Sequence, residues 1–324
     1  MTEYGQAKSA NQVMRMDPGF DEIISTSTAI ERIASGFSFV EGPVWVRDGN
    51  YLLFSDIPNN VINKWSPDGR VSVFLEESGF SGELPRPVPK LLTMENLLGY
   101  LVGSNGTTLD KEGRLIFCEH GNRRVERLEK DGRRTVVADS YEAKRLNSPN
   151  DVVTKSDGAI YFSDPPFGLE KMDEDPRKEL PFNGLYRVHD GKIQLLTKDL
   201  KAPNGLAFSP DEKYLYADDS GTGMYWRYEV KPDGTIGNGR LFFDLSKSAD
   251  PGVADGIKID ANGNVYACGP GGVWILSPEG KVLGRFQPPE DPANIAWGDD
   301  GKSLYMTAWT SLYRVRLKIP GIRP

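Results

Sequence analysis

NDVVTKSDGAIYFSD, residues 150–164, decides the fold. It opens on the amide side chain of Asn150, runs through the apolar pair Val152-Val153, turns at Asp157-Gly158, and returns through Ile160, Tyr161 and Phe162 to end on Asp164. The same order recurs in EGPVWVRDGNYLLFSD from Glu41, NGTTLDKEGRLIFCE from Asn105, NGLAFSPDEKYLYAD from Asn204, DGIKIDANGNVYACG from Asp255 and NIAWGDDGKSLYMTA from Asn294. Each copy begins with Glu, Asn or Asp, and the intervals run from about 40 to about 65 residues. Asp-Gly or a relative recurs at the first turn and supplies the positive backbone angles of a tight hairpin. Strand-built repeats of this length specify a propeller, one copy per blade. The expected fold is therefore all-β, a six-bladed β-propeller with four-stranded antiparallel blades.

The second copy shows one blade in full, with strands at 107–109, 114–118, 124–128 and 135–138. The last copy ends after three strands, at 311–317. An early strand at 29–34 would supply the fourth, close the ring and remove its free edge. Residues 1–26 read as an irregular or partly helical leader, and 27–324 as a single propeller domain. Residues 76–104 form an insertion between the first two blades, with helical spacing over 91–101. A charged, proline-bearing stretch at 167–183 interrupts the third blade. Long connections of this kind are either decorative loops or a wall over a site.

The formal charge is −7 with both signs mixed along the chain. That excludes a basic nucleic-acid or anionic-membrane surface. No apolar run is long enough for a transmembrane helix, and the first twenty residues lack the apolar stretch of a signal peptide. Cys118 and Cys268 read as two buried thiols. A cytoplasmic protein, monomer or homodimer, is expected.

The residue that begins each copy starts the innermost strand of its blade. The antiparallel second strand ends beside it, on the same face of the ring. Those ends are polar too: Asp56, Glu119-His120, Asp164 and Asp218-Asp219. One face thus gathers carboxylates and amides that a core does not need and that are costly to bury unpaired. Such a pocket asks for a cation. Glu41 and Asp255 offer carboxylates, Asn150 and Asn204 amide oxygens, a hard set suited to Ca²⁺, or to Mg²⁺ or another divalent ion, and unsuited to Zn²⁺. The other role for these residues is to cap turns between blades.

At these residues the chain resembles the gluconolactonase/regucalcin (senescence marker protein) family. The motifs are FVEGPVW at Glu41, FSDIPNN at Asp56, CEHGNRRV at His120, RLNSPNDVV and SDPPFG at Asn150 and Asp164, PNGLAFSPD at Asn204 and DGIKIDANGNVYA at Asp255. The resemblance implies a six-bladed propeller with one axial divalent metal, usually Ca²⁺, held by Glu41, Asn150, Asn204 and Asp255. It also implies lactone hydrolysis, with relatives that cleave organophosphates. The RLNSPND and CEHGNRRV forms look closest to bacterial sugar lactonases. The insertion at 76–104 is longer than expected for those and puts the substrate in question.

The expected reaction is hydrolysis of a gluconolactone-like aldonolactone to its acid. A cation would polarise the carbonyl, and Asp255 would take the proton of the attacking water, its carboxyl held ionised by the ion. If Asp255 only ligates, Asp164, Asp218 or His120 would be the base. Asn105, His120, Asp164 and Asp219 are the candidate substrate contacts. Asn294 and His189 are expected to take no part in the chemistry, and Arg123 and Arg124 to make surface or inter-blade pairs rather than bind anions. The competing functions are another metal-dependent hydrolase, such as one for organophosphates, and a non-catalytic binding propeller. An apolar pocket wall would favour the organophosphate, and hydrogen-bonding groups the sugar.

Overall fold

The computed structural model describes residues 11–89 and 92–322. It is a ring of six antiparallel blades of four strands, one of which carries an added fifth strand. Blade 1 comprises Val40–Val46, Tyr51–Asp56, Val61–Trp65 and Val71–Glu76. Blade 2 comprises Ser104–Leu109, Leu115–Glu119, Arg124–Leu128 and Arg134–Ala138. The innermost strands of blades 3 to 6 are Val152–Thr154, Pro203–Phe208, Ile257–Ile259 and Pro292–Gly298. Burial falls from axis to rim. Every residue of Ser104–Leu109 is buried, whereas the outer strand Val71–Glu76 is almost wholly exposed. The hairpin turns form as their sequence requires: Gly158 has φ 86°, and Asp157 Oδ1 accepts from Ala159 N at 2.9 Å.

The core is divided into one apolar cluster per blade junction. Val44, Leu53 and Ile62 of blade 1 meet Leu109, Leu115 and Phe117 of blade 2. Trp45 of blade 1 stacks on Tyr305 of blade 6, with ring centroids 5.2 Å apart. A seventh cluster lies on no junction. It joins Leu92, Leu97 and Leu101 of the insertion to Ile57 and Trp309 of the propeller.

The ring closes as the sequence implies. Ile30–Ser35 pairs antiparallel with Ser311–Arg316, Ile30 opposite Val315 and Ser35 opposite Ser311. Over 11–26, within the leader expected to be irregular or partly helical, the structure has one strand and one short helix. Gln12–Arg15 adds a fifth strand to blade 5, with Gln12 opposite Gln287 and Arg15 opposite Gly284. A short 3-10 helix, Pro18–Glu22, follows it and buries Phe20 against Phe286. Gly284 makes room for this ring, since a Cβ there would come within 2.5 Å of it. Four residues of strand are too few to show a period against polar surroundings.

The insertion carries the short helix Met94–Leu97 and the 3-10 turn Leu98–Tyr100, within the span of helical spacing. Thr93 and Asn96 form a capping box at its start. Leu91, part of the expected apolar face, lies outside the described residues. Arg86 of the insertion pairs with Glu170 of the 167–183 stretch at 2.9 Å, so the two long connections meet. No helix among the described residues is long and apolar enough to cross a membrane.

Candidate active site

A β-bulge lies near the start of several inner strands. The register shifts between Glu41 and Val44, Ser104 and Thr107, Pro203 and Leu206, and Pro292 and Asn294. A bulge adds a residue and bends the strand, which here turns Glu41, Asn105 and Asn204 towards the axis. The glycine after the anchor lets the next blade approach. A Cβ on Gly42, whose φ is 50°, would lie 2.0 Å from the Asn105 carbonyl oxygen.

The anchors meet in one hydrogen-bonded arc. Asn105 Nδ2 donates to Asn150 Oδ1 at 2.6 Å, Asn150 Nδ2 donates to Asn204 Oδ1, and Asn204 Nδ2 donates to Ser220 Oγ at 3.1 Å. His120 Nε2 lies 3.1 Å from Asn150 Oδ1 and 3.3 Å from Asn105 Nδ2. Asp255 and Glu41 complete the arc, their carboxyl groups in hydrogen-bond contact with each other. Four buried side-chain atoms here have no hydrogen-bond partner: Asn105 Oδ1, His120 Nδ1, Asp255 Oδ1 and, behind the arc, Asp218 Oδ1.

Electrostatics follow from this crowding. Burial pushes the Asp255 carboxyl well up, and the charges of Glu41 and Asp218 add to it. Burial likewise pushes Glu41 up to about 7, against the Gly42 N–H that donates to Oε2. Burial lowers His120 to about 4, so its imidazole is neutral near pH 7. Asp255 is thus displaced in the opposite direction from that expected beside a cation.

The donor set fits a hard divalent ion in part directly and in part after rotation. Two adjoining buried carboxylates that resist joint ionisation, one with a bare oxygen, are what such an ion would relieve. The amide oxygens of Asn150 and Asn204 already accept from neighbouring amides, so these side chains would have to turn to ligate. Among the described residues no group of three or more His, Cys, Asp or Glu side chains is placed to hold a metal. The set at hand is two carboxylates and two amides.

These anchors floor a cavity of about 290 Å³ that opens on this face. Its floor is Glu41, Asn105, His120, Asn150, Asn204 and Asp255. Above them stands an apolar collar drawn from Phe39, Leu97, Leu98, Leu101, Phe167 and Trp309.

Asp164 and Asp219, expected as substrate contacts, are not brought to the cavity. Asp164 accepts from Asn147 N and Ser148 N, each at 2.8 Å. Asp219 accepts from Lys201 N at 3.0 Å and Ala202 N at 2.8 Å. Asp56 does the same with Ser38 N and Phe39 N. The acid ending the second strand therefore ties down the chain entering the first strand of its own blade. Asp164→Ala should accordingly cost about 2–4 kcal/mol of stability, because two buried N–H groups lose their acceptor. Denaturant unfolding and kinetics together check this: an unchanged midpoint with a raised KM would return Asp164 to the substrate.

Asn294 Oδ1 accepts from Ile295 N at 2.9 Å, and its side chain also reaches Glu41, but it does not line the cavity. Arg123 donates to the Leu146, Asn147 and Arg177 carbonyls, and Arg124 pairs with Glu119 and Glu126. His189 lies beside Asp190 at 3.7 Å, outside the cavity lining. Sequence reasoning missed Ser220, which bridges Asn204 to the Ala254 carbonyl. It also missed the buried Asp151, although that residue stands where most copies carry glycine.

A six-bladed propeller with a polar axial floor and a walled mouth defines a class of small-molecule sites. Comparison narrows the class. The profile of the SMP-30/Gluconolactonase/LRE-like region matches residues 39–310. A gluconolactonase of Zymomonas mobilis is 39% identical over 320 residues, covering 96% of this chain and 87% of that protein. A gluconolactonase of Xanthomonas campestris has the same fold with a TM-score of 0.80 and 27% identity, covering 98% of each chain. Regucalcin of Agrobacterium tumefaciens, a calcium-binding protein, superposes with a TM-score of 0.70 at 17% identity, a likeness of fold, covering 92% of this chain and 97% of that one. The chain belongs to the SMP-30/gluconolactonase family.

Proposed function

We propose that the cavity hydrolyses a lactone, and that it does so with a divalent cation, Ca²⁺ first, held by Glu41, Asn150, Asn204 and Asp255. The observation that carries this is the pair of adjoining buried carboxylates on the axis, Glu41 and Asp255, with Asp255 Oδ1 bare. Gluconolactonase is the name of the relative aligned over nearly the whole chain, and an aldonolactone is the substrate class that name suggests. A propeller used only for binding would have no use for such a pair.

The ion would supply Lewis-acid stabilisation of the charge that develops on the ester carbonyl oxygen. The chain's own groups do the rest. Asp255 Oδ1 takes a proton from the attacking water as its oxygen bonds to the carbonyl carbon. The ring C–O bond then breaks, and the proton passes from Asp255 to the departing alkoxide oxygen, leaving a hydroxy acid. Asn105 Oδ1 accepts from a substrate hydroxyl. His120, neutral, lies with Nε2 against Asn105 and Asn150 and helps to hold both side chains in place. The collar keeps bulk water from the floor, which strengthens each of these contacts.

A lactone panel assayed with EDTA and then with Ca²⁺, Mg²⁺ or Mn²⁺ added back tests the proposal. Hydrolysis should vanish on chelation and return with metal. Full activity in EDTA would remove the cation, and inactivity on every lactone would remove the reaction.

A further inference from the structure

We propose that the preferred substrate is a lactone bearing an apolar substituent, alkyl or aryl, rather than a bare polyhydroxylated sugar lactone. This rests on lactone hydrolysis at the floor described above and concerns what lies beyond the ring. The floor offers two uncommitted buried acceptors, Asn105 Oδ1 and Asp255 Oδ1. They can serve the ester and a hydroxyl or two beside it.

The collar offers the remainder of the substrate almost nothing polar. Leu97, Leu98 and Leu101 come from the insertion, and Phe39, Phe167 and Trp309 stand with them in one contiguous cluster. Phe39 and Trp309 meet edge to face at 5.2 Å. The polar side chains of the outer lining are mostly spent. Asp173 accepts from Asn183 Nδ2 at 3.0 Å and lies 3.6 Å from Lys178. Ser220 Oγ donates to the Ala254 carbonyl, and Asp291 is engaged as well. Lys201 and the second oxygen of the half-exposed Asp173 remain, and two such groups cannot match a row of hydroxyls.

A polyol held here would lose its water without regaining hydrogen bonds, which is unfavourable for each hydroxyl. An alkyl or aryl group would instead replace water against leucine and aromatic surface. The two connections that build this wall are themselves tied, Arg86 to Glu170. The collar is therefore a built subsite and not a loose flap.

The test compares kcat/KM for glucono-1,5-lactone, δ-valerolactone and δ-decalactone, each corrected for spontaneous hydrolysis. One methylene in an apolar pocket is worth about tenfold or more in discrimination. δ-Decalactone should exceed both other lactones by at least about tenfold. Leu98→Gln and Phe167→Asn, made separately so that loss of one fold leaves the other, should shrink the ratio of δ-decalactone to δ-valerolactone. Glucono-1,5-lactone as the best substrate, or a ratio untouched by both variants, would overturn the inference while lactone hydrolysis stands. No turnover of any of the three would overturn lactone hydrolysis and this inference with it.

Discussion

Asp255→Asn is expected to lower kcat on the best lactone by about 10²–10⁴-fold, the usual loss when a general base is removed. The fold should not suffer. In the wild type Asp255 is buried against Glu41 and in the field of Asp218, so its charge is a burden on the native state until something offsets it. The amide removes that repulsion and fills the same space. The melting temperature in EDTA should therefore stay level or rise while turnover collapses. A variant that melts early and loses activity in proportion would mean that Asp255 supports the structure. A variant with near wild-type turnover would pass the proton-accepting role to another group.

Calcium is expected to raise the melting temperature of the intact protein, and Glu41→Gln to abolish most of that rise. A ligand that binds only the native state at 100 times its dissociation constant adds about 2.7 kcal/mol. For a chain of this size that corresponds to roughly 5 °C. Glu41 sits on the bulge of blade 1 with Gly42 N donating to its Oε2, so the substitution is nearly isosteric and the strand should keep its register. Scanning calorimetry in EDTA, Ca²⁺ and Mg²⁺ reads the effect without any substrate. Equal shifts in wild type and Glu41→Gln would place the ion elsewhere, and no shift in either would leave the axis without one.

The ring was legible because each blade repeats one local pattern. The order of polar anchor, apolar run, Gly-bearing turn and apolar run survives irregular spacing, and strand alternation does not depend on distant residues. Convergence of Glu41, Asn105, Asn150, Asn204 and Asp255 followed from their equivalent places. What the repeat conceals is where a side chain spends its hydrogen bonds. Asp164 and Asp219 lie on the right face at the right strand end, yet their oxygens turn back to amides one loop away. A linear pattern fixes the face of an acid but not the atoms it meets. The collar was hidden for a related reason. Phe39 and Trp309 stand at opposite ends of the chain, and nothing local to either indicates that they meet each other and Leu97.

Ring closure has a consequence in time. Ile30 pairs with Val315, so the strand made almost first waits for one made almost last. At ribosomal rates of about 5–20 residues per second, that wait is roughly 15–60 s. Throughout it Ile30–Ser35 is an unpaired strand, and blades 1 to 5 form an arc with two exposed ends. Gln12–Arg15 pairs with blade 5, whose strands are all made before those of blade 6, so that segment can dock before the ring closes. Once captured, the chain from Arg15 to Ile30 is a tether that holds the waiting strand beside the place where its partner will emerge. The order of birth along the chain thus becomes an order of assembly, with the extra strand on blade 5 serving as the mooring for the last blade.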